Sequence, residues 1–211
     1  MHRKILIIDQ ELILLGTANF TIQSLKMHDN LVLGIHDASL ATFLESSVED
    51  KGNFVIQEVE MMSFLLPDFK EEVIETLGNL IDQAQKTIQI AMFTLTHPLL
   101  VEKLTQALKR GIQVILAIDR YTAEGASKNA ISKLREGGVA LLTSTGSQLL
   151  HHKWALIDGE TFVFGSTNWT AAAFSKNLDC LLVLKKMKKH HLKTLNSLWK
   201  IVEITSQKEY D

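Results

Sequence analysis

The chain has 211 residues, of which 46% are apolar and 22% are charged, and its formal net charge is −2. This composition is typical of a globular protein and excludes a global basic field that would recruit nucleic acid or an anionic membrane, although it leaves room for a local patch. A single cysteine, Cys180, excludes an intrachain disulfide. No apolar run reaches the roughly 20 residues that span a bilayer, and no signal peptide is recognisable, so a cytoplasmic location is the default expectation.

The sequence pattern of the N-terminal quarter of the chain predicts mainly strands and little helix. Apolar runs at 2–8, 11–16 and 30–36 predict three strands, and a short helix is predicted from Ala38 to Leu44. Strands without flanking helices cannot cover both faces of a sheet. We therefore expect residues 1–50 to be a partial domain that packs on the rest of the chain, with 51–57 as a linker.

Residues 58–211 alternate between segments with the apolar periodicity of a helix and segments with that of a strand. Helices are predicted around 73–84, from Pro98 to Gly111, and at 127–136 and 188–205, and strands at 87–92, 112–118, 139–143, 150–157, 161–165 and 179–184. This alternation predicts a complete α/β layered domain, whose mixed, largely parallel sheet is flanked by helices.

An internal repeat relates the two parts of the chain. A shift of 149 residues superimposes His2 on His151, Lys4 on Lys153, Asp9 on Asp158, Gly16 on Gly165, Thr17 on Ser166 and Asn19 on Asn168. From His2 to Thr21 there are 8 identities in 20 positions, whereas roughly one or two are expected by chance. The chain therefore carries the same functional motif twice.

The spacing of the motif favours binding of an anion. Alternate residues of a strand share a face, so each His-x-Lys pair places an imidazole beside an ammonium group. The turn at Asp158-Gly159 sends the next strand back alongside, which brings Gly165 and its polar neighbours to the same end of the sheet. Two such sets would surround a single phosphorus atom.

These motifs resemble the two His-x-Lys-(x)4-Asp signatures, with a trailing Gly-Ser-x-Asn, of the phospholipase D superfamily. The second half resembles this family from about residue 61 to 200, and the first half only from its motif onward. The α/β half-domain that such enzymes normally carry ahead of the first motif is absent, so the chain is interpreted as truncated, split, or starting further upstream.

The resemblance implies a metal-independent reaction without a cofactor. One histidine would attack phosphorus to form a phosphohistidine, and the other would protonate the leaving alkoxide. The implied catalytic residues are His2, Lys4, His151, Lys153 and Asp179, with Asp9 and Asp158 as supporting residues. Thr17, Asn19, Ser166 and Asn168 are expected to bind the substrate phosphate.

The family also places an acidic residue behind each histidine. The segment Asn177-Leu178-Asp179 supplies Asp179 for His151, whereas Asn30-Leu31-Val32 supplies a valine for His2. His2 is therefore expected to lack an acidic partner, and His151 is expected to be the nucleophile.

Three functions fit these features: hydrolysis or transphosphatidylation of phospholipids, a nuclease of the same superfamily, and a non-catalytic remnant. The net charge favours a phospholipid substrate over nucleic acid. The basic run from Lys185 to His191 allows peripheral membrane contact, although such runs are more often the solvated start of a helix. The site is expected to form either across a pseudo-twofold axis in one monomer or in a homodimer that pairs two second motifs.

Overall fold

The computed structural model describes residues 1–46 and 50–208. The N-terminal elements are β1 (Ile5–Ile8), β2 (Leu12–Gly16), α1 (Ile22–Met27), β3 (His28–Asp29), β4 (Val32–His36) and α2 (Ala38–Glu45). The following elements are β5 (Lys51–Ile56), β6 (Val59–Leu65), α3 (Lys70–Gln83), β7 (Thr87–Met92), α4 (Pro98–Lys109), β8 (Gln113–Ile118), α5 (Arg120–Glu124), α6 (Lys128–Glu136), β9 (Ala140–Ser144), β10 (Leu149–Leu150), β11 (Lys153–Ile157), β12 (Thr161–Gly165), α7 (Ala171–Ser175), β13 (Cys180–Lys185), α8 (Lys189–Ile204) and β14 (Ser206–Lys208).

The N-terminal apolar runs form a small antiparallel sheet in the order β1-β2-β4. Asp9 and Gln10, which connect β1 to β2, both have positive φ angles, of 52° and 59°. Two such residues in succession make the kind of tight turn that follows the natural twist of a hairpin. The short strand β3 pairs with β10 in parallel and so links this sheet to the rest of the chain.

The large sheet has nine strands in the order β14-β9-β8-β7-β11-β12-β13-β6-β5. It is mixed and flanked by helices, as expected, but the expectation of a largely parallel sheet is wrong. Among the described strands of this sheet, only the β7–β8 and β8–β9 pairs are parallel. Helical crossovers connect these three strands, whereas the motif strands are joined by a tight turn that makes them antiparallel.

The predicted linker at 51–57 is also corrected. Residues Lys51–Ile56 form β5, the edge strand of the large sheet, and pair with β6 from Ile56↔Val59 to Lys51↔Phe64. Alternate residues of β5 face the core, where the Phe54 ring lies 5.4 Å from that of Phe43. Asn53, one of the polar residues that suggested a linker, is exposed on the other side of this strand.

The large sheet buries a core on each of its faces because residues of β11 to β13 are apolar on both sides. One face packs against α3, α4 and α6 through residues such as Ala155 and Val183. The other face packs against α8 and the small sheet, where Ile13 and Leu15 meet Trp154. Within the described residues, no helix combines the length and apolar character that a bilayer span requires.

The small sheet repeats the strands β11, β12 and β13 in register. Gly16 pairs with Val32 and Gly165 with Leu181, positions that are again 149 residues apart. A Cβ atom at Gly16 would lie 2.2 Å from the carbonyl oxygen of Leu31, and one at Gly165 would lie 2.1 Å from that of Cys180. Both glycines are therefore required by the close approach of the neighbouring strand, which fixes the chain just ahead of the polar residues.

Candidate active site

The two lysines of the motifs occupy equivalent buried positions. The Nζ atom of Lys4 donates a hydrogen bond to the carbonyl oxygen of His2 over 2.7 Å, and Nζ of Lys153 donates to that of His151 over 2.9 Å. Burial lowers the pKa of Lys4, an effect that the charge of Asp179 opposes. Burial, followed by the charge of Lys4, holds the pKa of Lys153 well below its ordinary value. An arriving anion would relieve this repulsion, so the pair favours binding of a phosphate.

Asp179 is the hydrogen-bond partner of His2. Its Oδ1 atom accepts from Nδ1 of His2 over 2.7 Å and from the hydroxyl of Ser166, and the residue is fully buried. Burial alone would raise the pKa of this carboxyl group, but the hydrogen bonds from His2 and Ser166 and the charges of His2 and Lys4 together more than offset burial and lower it. Asp179 is therefore a carboxylate that holds the proton of His2 on Nδ1 and leaves Nε2 with a lone pair.

His151 has a neutral partner instead. Its Nδ1 atom lies 3.0 Å from Oδ1 of Asn30. The orientation of the Asn30 amide is fixed because Nδ2 donates to the carbonyl oxygens of Ser24 and His28. Since Oδ1 can only accept, Nδ1 of His151 is the donor.

The expected pairing of Asp179 with His151 is thus wrong, as is the expectation that His2 lacks an acidic partner. Each histidine is held by a residue from the other copy of the motif, across the pseudo-twofold axis. Asn30 is the site residue that the sequence interpretation missed. The signal was available, because Asn30 lies 149 residues before Asp179 and the alignment needs no gap beyond Thr21.

The environment of His151 strongly disfavours its protonated form. Burial, followed by the charges of Lys153, His28, Lys4 and His2, lowers its pKa to about 2. The rings of Phe93 and His28 lie 4.9 and 5.5 Å from its own ring, centroid to centroid. These contributions also place both motifs in one cationic site within a single chain.

The predicted phosphate-binding residues occupy two kinds of position. The hydroxyls of Ser166 and Thr17 donate to Asp179 and Asn30 respectively, so they support the partners of the histidines. Oδ1 of Asn168 is buried without a hydrogen-bond partner, whereas Asn19 is exposed. Asn168 is therefore the member of this set whose side chain is best placed for a ligand.

Asp9 and Asp158 lie at the opposite end of the motif strands. Five residues separate Lys153 from Asp158, which corresponds to about 16 Å along a strand. Asp158 accepts hydrogen bonds from the backbone amides of three consecutive residues, Gln85, Lys86 and Thr87. It thus anchors the loop before β7, and Asp9 is exposed at the β1–β2 turn. Both aspartates therefore occupy turn positions, and their supporting role stays a prediction.

Two further residues frame the site. The Nε atom of Arg3 donates to the carbonyl oxygen of Asp179 over 3.1 Å, which ties β1 to the start of β13. Nζ of Lys153 lies 5.1 Å from the centroid of the Phe93 ring. Within residues 1–46 and 50–208, His, Cys, Asp and Glu side chains form no group of three or more that could hold a metal ion.

Comparison with known sequences identifies relatives of this arrangement. A family described as "Cardiolipin synthase, PLD-like domain" matches residues 1–50 and 77–199. The mitochondrial cardiolipin hydrolase of Xenopus laevis is 31% identical over 134 residues, which cover 62% of this chain and 60% of that protein. The protein of the same name from Xenopus tropicalis is 34% identical over 102 residues, or 48% of each chain. The chain therefore spans roughly half to three fifths of the length of these relatives.

Two solved structures share the fold. Nuc from Salmonella typhimurium, a phospholipase D family member, has a TM-score of 0.66 and 25% identity, and the match covers 73% of this chain and all of that one. Phosphatidylserine synthase from Haemophilus influenzae has a TM-score of 0.79 at 12% identity, and its match covers 99% of this chain and 63% of that one. Both copies of the motif therefore lie within the region shared with the second structure.

Proposed function

Because the chain belongs to the phospholipase D superfamily, we propose that it cleaves phosphodiesters of phospholipids through a covalent phosphohistidine. The observation that carries this proposal is the pair of imidazoles in one cationic site, one held by a carboxylate and the other by an amide. Two lysines supply the positive charge that stabilises the pentacoordinate phosphorus.

His2 is the nucleophile in this proposal, which reverses the expectation from the sequence. Its Nε2 lone pair attacks phosphorus, the N–P bond forms, and the bond from phosphorus to the leaving alcohol oxygen breaks. The imidazole becomes positively charged in this step, and the carboxylate of Asp179 stabilises that charge.

His151 is the general acid and base. The anionic diester raises the proton affinity of its imidazole, and the protonated ring then gives its proton to the leaving oxygen. The Asn30 amide that accepts from Nδ1 is neutral and stabilises the protonated ring less than a carboxylate would, so the ring gives up its Nε2 proton more readily. Neutral His151 next takes a proton from water or an alcohol, whose oxygen attacks phosphorus and breaks the N–P bond to restore His2.

A lipid substrate is supported by the relatives named cardiolipin hydrolase, and by a phospholipase D of Rickettsia typhi that is 20% identical over 164 residues. Nucleic acid is the competing substrate because it presents the same diester. The net charge of −2 gives the chain no general attraction to nucleic acid.

The deciding experiment compares substrates side by side. The purified chain is assayed on phosphatidylcholine, on cardiolipin, on single-stranded DNA and on bis(p-nitrophenyl) phosphate, a water-soluble diester. We expect release of phosphatidic acid from both lipids, hydrolysis of the soluble diester, and no cleavage of DNA. His36→Ala serves as the matched control because its ring is largely exposed and pairs with Glu11. Cleavage of DNA alone would replace the lipid proposal, and inactivity on all four substrates would favour the non-catalytic remnant.

A further inference from the structure

Four large apolar side chains are exposed on and beside α1. Phe20, Ile22, Leu25 and Met27 are 50%, 76%, 58% and 59% exposed, and we call them the α1 patch. Single exposed apolar residues are ordinary on a protein surface, but four within eight consecutive residues mark an interaction surface.

The internal repeat provides a reference for each position of the α1 patch. Phe20 and Leu25 correspond to Trp169 and Phe174, which are both 1% exposed. An apolar residue at these two positions is therefore a feature that both copies of the motif share.

Ile22 and Met27 differ from their counterparts. They correspond to Ala171 and Lys176, which are themselves exposed in the second copy. The fold accepts a small or a charged residue at these two positions, so packing within the chain does not require isoleucine and methionine there. We therefore infer that the apolar side chains of Ile22 and Met27 contact something outside the chain.

The α1 patch borders the candidate active site. Asn19, from the first motif, immediately precedes it, and His28 immediately follows it. The ring of His28 lies 5.5 Å from that of His151, and the next residues lead to Asn30. Whatever the patch contacts therefore lies close to the side chains that surround His151.

We propose that the α1 patch inserts into the surface of a phospholipid bilayer and holds the site at the depth of the headgroups, an inference that rests on the proposed lipid function. Apolar side chains gain free energy at the boundary between headgroups and acyl chains. Lys26, exposed between Leu25 and Met27, is placed to meet lipid phosphates. The buried lysines of the site then attract the phosphate of a lipid that is still in the bilayer.

The test uses the double variant Ile22→Ser/Met27→Ser, because the second copy tolerates alanine and lysine at these positions. The control variant, Val55→Ser, removes an exposed apolar side chain from β5. Co-sedimentation with phosphatidylcholine vesicles, with and without cardiolipin, measures binding. We expect binding of the double variant to fall about tenfold or more, since each side chain loses its transfer free energy, while the control binds like the wild type.

Catalysis separates this inference from the proposed function. The double variant should hydrolyse bis(p-nitrophenyl) phosphate at the wild-type rate and vesicle lipids more slowly. Vesicle binding needs no catalysis. A chain that binds vesicles through the α1 patch but hydrolyses no diester would therefore contradict only the proposed function. Wild-type chain that does not bind vesicles, or a double variant that binds them like the wild type, would overturn the inference.

Discussion

The two copies of the motif share a backbone but hold their histidines differently. In each copy a lysine donates to the histidine carbonyl two residues earlier, and a hydroxyl supports the residue that holds the opposite histidine. The difference lies in that residue, which is Asp179 in one case and Asn30 in the other. A symmetric scaffold can therefore give two chemically distinct imidazoles through a single atom, because a carboxylate oxygen of Asp179 takes the place of the amide nitrogen of Asn30.

The copies also differ in what covers them. β11 lies between β12 and β7, whereas β1 pairs only with β2 within the described part of the chain. Leu6 and Ile8 are accordingly 44% and 38% exposed, while their counterparts Ala155 and Ile157 are 0% and 5% exposed. The position of His2 therefore depends on the packing of the small sheet against the large one and on contacts at the start of β13. A helical layer on the outer face of the small sheet contributes less.

The largest expected effect distinguishes the roles of the two histidines. His2→Ala should lower kcat by about 10⁴-fold or more and form no covalent adduct, because it removes the nucleophile. His151→Ala should lower kcat on a lipid by about 10²- to 10⁴-fold. With bis(p-nitrophenyl) phosphate, whose leaving group needs no acid, His151→Ala should still form the adduct but release it slowly.

Intact-mass analysis after an acid-free quench measures this adduct. Accumulation in His151→Ala and its absence in His2→Ala would support the assignment. An adduct mapped to His151 would reverse it and restore the expectation drawn from the sequence alone.

The next largest effect is expected when the hydrogen-bond partners of the two histidines, Asp179 and Asn30, are made the same. Asp179→Asn gives both histidines an amide, and kcat should fall about 10²-fold or more because the developing charge on His2 loses its counterion. Asn30→Asp is the reciprocal change and should raise the pKa of His151, which NMR titration of the imidazole would detect. Equal kcat values for wild type and Asp179→Asn would show that the asymmetry has no catalytic role.

A smaller effect concerns stability against pH. Burial, followed by charge from Lys153, lowers the pKa of His151 to about 2 and that of its neighbour His152 to about 4, from 6.5. The unfolded chain therefore binds more protons as the pH falls below 6.5, so stability is full above that pH and is lost as the pH falls toward the folded values. The loss should approach about 1 kcal/mol per pH unit for each histidine.

Urea unfolding between about pH 7 and pH 5 checks this dependence. His151→Asn should reduce the slope of unfolding free energy against pH. An unchanged slope in His151→Asn would mean that this histidine is already protonated in the folded chain.

Sequence reasoning predicted the elements of the fold better than the contacts of the site. Apolar runs bounded by turn residues predicted β1, β2, β11 and β12. The sheet direction was missed because periodicity describes one strand at a time and not its neighbours. The partner of each histidine was missed because it comes from the other copy, and only the constant offset of 149 residues places Asn30 opposite His151.

The smallest expected effect is that of a chelator. Lys4 and Lys153 both lie at the proposed phosphate site, where they can supply the charge that a metal ion would otherwise provide. Excess EDTA should therefore leave the rate unchanged, whereas vanadate, which adopts the geometry of pentacoordinate phosphorus, should inhibit competitively. Lys153→Met keeps most of the side-chain volume but removes the charge. It should therefore abolish vanadate binding while the chain still folds. The contrary result is that EDTA abolishes an activity that zinc or magnesium then restores. That result would mean that the charge of the two lysines is not enough for the reaction, and that one copy of the motif supplies a metal ligand.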